Sequence, residues 1–77
     1  MRIFAISDNA DFEVGMKLAG ADSISLNNEE EINKKIDEIL QVKDIGILVV
    51  SEKIYDMAKD RIDDIRLNKR LPLITII

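Results

Sequence analysis

Four β-rich apolar runs alternate with helix-period segments along these 77 residues, and that alternation is the pattern of βαβ units wound into a parallel sheet. The runs are Ile3 to Ile6, Ile24 to Leu26, Ile45 to Val50 and Leu73 to Ile77. The first and third are continuously apolar, as expected of central strands covered on both faces. Ser23-Ile24-Ser25-Leu26 instead alternates polar and apolar, which predicts a half-covered strand at a sheet edge. Pro72 begins the last strand, where its missing N–H is tolerated.

Between the strands the spacing predicts three helices. Phe12, Met16 and Ala19 fall at i, i+4, i+7, with Gly20 placed to stop that helix in a left-handed conformation. Gly15 lies inside it, where glycine costs up to about 1 kcal/mol relative to alanine, and predicts a close approach of the helix to the sheet or to a partner. Asn28 caps the second helix, with Glu31 in the capping-box position and Glu29, Glu30 and Glu31 against its positive end. Ile32, Ile36, Ile39 and Leu40 form its apolar stripe. Ser51 caps the third helix, whose stripe is Ile54, Ala58, Ile62 and Ile65.

Right-handed crossovers then favour one small flavodoxin-like (Rossmann-like) three-layer α/β domain over residues 1–77, a four-stranded parallel sheet of order 2-1-3-4. In that order helix one stands alone on one face and helices two and three share the other. Part of the sheet under strands three and four is left bare. Thr75 marks the face of Leu73, Thr75 and Ile77 as the less buried side of strand four, and these residues are the candidate interface.

Composition narrows the chemistry. With 47% apolar content the chain can build one core but not two, and a chain this short buries only about 60% of its unfolded surface, so a partner would add to its stability margin. The absence of cysteine removes disulfides, thiolate chemistry and cysteine-ligated zinc, and the absence of histidine removes the commonest metal ligand and general base. Eleven basic against fifteen acidic side chains, a net −4, argue against a nucleic-acid surface. No stretch is long enough to cross a bilayer, and the apolar run after Met1-Arg2 is too short for a signal peptide, so a cytosolic domain is expected.

The carboxyl ends of the strands, where α/β sheets place their ligands, carry Ser7-Asp8, Asn27-Asn28 and Ser51-Glu52. Asp8 could hold a metal or phosphate-linked magnesium; the plainer reading of Ser7-Asp8 is a helix-capping turn. Ser51 and Glu52 could pair a nucleophile with a base, yet nothing in the sequence orients them, and a capping serine is the commoner event. A regulatory domain binding a nucleotide or phosphorylated ligand at Ser7, Asp8 and Ser51 is the alternative to an interaction module, with a metal-dependent hydrolase behind it. Arg66, Lys69 and Arg70 could meet an acidic partner or a lipid headgroup, although cations there also complement the third helix's C-terminal end. Tyr55, Met16 and Met57 are expected to serve the core.

The first strand with Ser7-Asp8, followed by Gly15-Met16-Lys17-Leu18-Ala19-Gly20, resembles the opening of the F subunit of the V-type and archaeal A-type ATPases, where Gly-Asp and then Gly-Phe-Arg-Leu-Ala-Gly are usual. Asp44-Ile45-Gly46-Ile47-Leu48-Val49-Val50-Ser51-Glu52 is similar to that family's third strand, and Leu71-Pro72-Leu73-Ile74 to its fourth. Ser7, Met16 and Lys17 depart from the pattern. Family members continue past strand four into a flexible segment and a helix, so the resemblance implies an N-terminal domain lacking that helix. It also implies a non-catalytic central-stalk subunit without cofactor or metal. Such a subunit binds the coiled-coil shaft and its neighbours, and couples ATP hydrolysis or synthesis to proton or sodium movement. Its place is cytoplasmic, peripheral to the membrane and without insertion into it.

Overall fold

Each apolar run forms a strand in the computed structural model, which describes residues 1–77: β1 (Arg2–Ser7), β2 (Asp22–Ser25), β3 (Ile45–Val50) and β4 (Leu73–Ile76). All neighbours pair in parallel, in the expected order β2-β1-β3-β4. The helices are α1 (Ala10–Leu18), α2 (Glu29–Gln41), α3 (Glu52–Met57) and α4 (Lys59–Asn68). There are thus four helices where the spacing predicts three. The predicted third helix breaks at Ala58, whose φ of −129° and ψ of 31° are not helical. Ala58 still donates to the Ile54 carbonyl and accepts from the Ile62 amide, so the apolar stripe runs on across the break. α3 packs on β1 and α4 on β4. One straight rod over a twisted sheet would not serve both strands as well.

Ile6, Leu48 and Val50 on the sheet meet Ile32, Ile36 and Ile39 of α2, Ile54 of α3, and Ile62 and Ile65 of α4 in one buried cluster. The register slips by one residue between the pairs Arg2–Ile45 and Ile3–Ile47, with Gly46 as the extra residue. That slip turns Ile45 to the same side as Leu48 and adds it to the core. Arg61 of α4 fastens the outer layer by donating to the Asn33 carbonyl (3.0 Å) and pairing with Asp37, both on α2. At the sheet's amino end Arg2 reaches Asp22 (2.7 Å) and Asp44 (3.2 Å), which raises the guanidinium pKa.

α1 is held differently. It packs over β1 and β2 on the opposite face, yet none of its residues is fully buried, and Val14 and Leu18 face outward. Polar bonds fix its ends. Asn9, rather than Asp8, is the cap, its Oδ1 accepting from the Asp11 and Phe12 amides at 2.8 and 3.2 Å. Gly20 takes a φ of +92°, and the Gly20 and Ala21 amides close onto the Lys17 and Met16 carbonyls, as the sequence predicts. Asn28 and Ser51 cap α2 and α3 as expected; of the capping box, the bond that forms is the Glu31 amide to Asn28 Oδ1. Midway along α1, Glu13 accepts from the Ser25 amide of β2 (2.8 Å) and from Lys17 (2.7 Å). Both bonds favour the carboxylate, the Lys17 bond most, and lower its pKa below the ordinary 4.5.

Gly15 contradicts one reading of the sequence. A Cβ built there meets nothing within 4 Å, so the glycine does not bring α1 against its own sheet. Gly15→Ala is therefore expected to raise stability by about 0.5–1 kcal/mol, read as a higher midpoint in urea. For Glu13 the sign follows from its lowered folded pKa: its contribution is complete above the unfolded value and disappears as pH falls through the folded one. Over that acid range the protection of α1 amides, relative to the intrinsic exchange rate at each pH, should fall while α2 stays protected. Glu13→Gln should show the lowered α1 protection already at neutral pH, and equal protection in variant and parent would refute the anchoring role.

Candidate functional site

The register that builds the core also aligns a second set of side chains on the opposite face. Ile3, Ile47 and Leu73 stand side by side across β1, β3 and β4, and Ala5, Val49 and Thr75 form the next row. Ile77 continues the β4 column, its amide donating to the Val50 carbonyl at 3.0 Å. Because α1 lies over β1 and β2, Ala5 and Ser23 are buried beneath it, while the β3–β4 half of the face has no helix above it. Leu73 is 59% exposed, Ile77 50% and Ile3 39%; Thr75 is also exposed, and Ile47 and Val49 are half-buried.

A parallel sheet is normally covered on both faces, so this half-open apolar side is the candidate site. The exposure of Leu73, Thr75 and Ile77 is as the sequence predicts. The pattern within any one strand does not single out Ile3, Ile47 and Val49, although pairing the alternation of three adjacent strands would find them. At its β1 end the open area runs into a depression of about 190 Å³ between Met1, Ile3 and the turn Ala19–Ala21.

The carboxyl ends of the strands are closed by their own hydrogen bonds. Ser51 Oγ donates to Asp8 (2.9 Å), tying the end of β3 to that of β1, and accepts from the Ile54 amide (3.4 Å). Ser7 Oγ donates to the Asn9 carbonyl and accepts from the Asn9 amide. Ser7, Asp8 and Ser51 are thus brought together as turn and capping groups. Glu52 stands exposed at the start of α3 and shares no bond with them, and no three acidic side chains converge as a metal-ligand set.

Of the remaining candidates, Tyr55 and Met57 take structural parts. Tyr55 and Met57 are half-buried against the core, and Met16 of α1 is half-buried. The Tyr55 hydroxyl donates to Asp63 across the α3–α4 break (2.6 Å), a bond that raises its pKa. Arg66, Lys69 and Arg70 gather at the end of α4, around a shallow depression reaching Pro72, Leu73 and Ile74.

Comparison with known proteins agrees with this picture. The crystal structure of the V-type ATP synthase F subunit of Archaeoglobus fulgidus superposes with a TM-score of 0.74, over 99% of this chain and 95% of that one, at 23% identity, which speaks for the fold. The A-type ATP synthase F subunit of Methanococcus maripaludis is 33% identical over 67 residues, 86% of this chain and 67% of that protein. The A-type counterpart in Archaeoglobus fulgidus is 30% identical over 54 residues, 69% of this chain. The match thus spans about half of the Archaeoglobus relative, 54% of its length. The resemblance carried by Ser7-Asp8, the Gly15–Gly20 segment and the third and fourth strands is borne out. The family pattern of the ATP synthase (F/14-kDa) subunit matches residues 3–77, and the chain belongs to that family.

Proposed function

We propose that this chain is a non-catalytic central-stalk subunit of a rotary, V/A-type proton- or sodium-translocating ATPase. Through the open face of Leu73, Thr75 and Ile77, with Ile3, Ile47 and Val49 beside them, it binds the coiled-coil shaft. Turning with the shaft, it couples ATP chemistry in the catalytic head to ion movement. The observation that carries this reading is the half-bare sheet in a chain of this family: apolar side chains that the chain's own helices leave open. The fold fits the part as a reduced flavodoxin-like platform, firm on its α2–α4 side. No helix is long and apolar enough to cross a membrane, which suits a protein peripheral to it on the cytoplasmic side.

The alternative, a nucleotide or phosphorylated ligand at Ser7, Asp8 and Ser51, meets the Asp8 carboxylate, whose charge opposes a phosphate, and a Ser51 hydroxyl already committed to it.

Calorimetric titration against the coiled-coil stalk protein tests the proposal. Leu73→Asp removes a contact of about 1.5–3 kcal/mol and places a charge on the face, so binding should weaken about tenfold or more. The circular dichroism spectrum should not change, because Leu73 is outside the core. Unchanged affinity of a folded variant would sink the assignment of this face; saturable nucleotide binding lost in Asp8→Ala would favour the alternative.

A further inference from the structure

The turn from α4 into β4 carries a second surface of different character. Residues 66–73 read Arg-Leu-Asn-Lys-Arg-Leu-Pro-Leu, three cations and no acid in a chain whose net charge is −4. Leu67 is 83% exposed and Leu71 52%, and with Leu73 they interleave with Arg66, Lys69 and Arg70. Complementing the helix dipole accounts for Arg66, in the last turn of α4. It extends to Lys69, the C-cap, but does not account for the leucines or for Arg70 beyond it.

None of the three cations has an ion-pair partner. The chain's salt bridges use Arg2, Lys17, Lys35 and Arg61. The nearest acids in sequence are engaged elsewhere, Asp63 by Tyr55 and Asp64 by Asn68. On either side of Pro72 lie two depressions. One, of about 150 Å³, is rimmed by the three cations; the other, of about 210 Å³, is lined by Val42, Lys43 and Leu71 among others.

We propose that the ridge from Arg66 to Leu73 docks a segment of a partner protein that carries carboxylates beside apolar side chains. Such a segment sets its acids on Arg66, Lys69 and Arg70 and its apolar groups between Leu71 and Val42. Charge complementarity decides the occupant's sign, and the exposed leucines decide that it is not a purely polar chain. An anionic membrane fits less well, because recognition of such a surface takes a cluster of about four to eight basic residues, and the ridge has three. The surface is separate from the open sheet face, which it meets only at Leu73, so either can hold without the other.

The test is an amide-resonance titration of the isotope-labelled 77-residue chain. The probe is a short helical peptide with leucines along one face and glutamates flanking them. Controls are the same peptide with glutamine for glutamate, and vesicles of phosphatidylserine in phosphatidylcholine. Saturable shifts at Leu67, Lys69, Arg70, Leu71 and Leu73 are expected. Affinity should be about tenfold higher for the glutamate peptide and should fall about tenfold in Lys69→Glu/Arg70→Glu. Those residues are exposed, and the rest of the spectrum reports whether the variant is folded. Equal response to both peptides, shifts elsewhere, or no shifts would overturn the proposal; shifts with vesicles but not with peptide would replace the protein partner by a membrane.

Discussion

Parallel β-structure sets the terms for everything else in this molecule. Its strands are joined by crossovers that must carry helices onto the sheet, and its faces, apolar on both sides, need those helices as cover. In the order β2-β1-β3-β4 the chain turns back once, after β2. One connection therefore serves one face and the remaining connections serve the other. The deep core of isoleucines under α2, α3 and α4 and the bare columns of Ile47, Val49, Leu73 and Ile77 are two consequences of the same winding.

Much of this can be read from the residues, and the reasons differ from place to place. The runs at Ile3–Ile6 and Ile45–Val50 announce central strands because a strand covered on both sides has no polar face to show. Gly20, Asn28 and Ser51 announce their caps because those geometries demand particular side chains. The open face is legible one strand deep: Thr75 betrays the exposed side of β4, whereas Ile47 and Val49 are as apolar as core residues. Only their register with Leu73 and Thr75 shows where they point.

What stays hidden is set by tertiary geometry. Met57-Ala58-Lys59 contains no helix breaker, so local preference does not announce the break at Ala58. The slip at Gly46 is likewise invisible in an unbroken apolar run, yet it decides which side Ile45 faces. Asn9 and Asp8 can both cap a helix, so the sequence does not choose between them; in the structure Asp8 is drawn away to Ser51, and Asn9 is left to do it.

The two sides of the sheet also differ in how firmly they are held. On the α2–α4 side, stability comes from close-packed side chains with almost no exposure, and such regions open only with global unfolding. On the other side α1 is retained by its caps and by the Glu13 carboxylate, with no fully buried residue of its own. A small domain has little stability to spare, and this one has concentrated it under one face. A partner seated on the open face would cover apolar columns that water now reaches and would lie beside α1, the least anchored element. Binding there gains burial and can order α1, without asking the firm side to move. The same winding thus leaves a tightly packed half that keeps the fold and, beside it, a half-covered face that stays open.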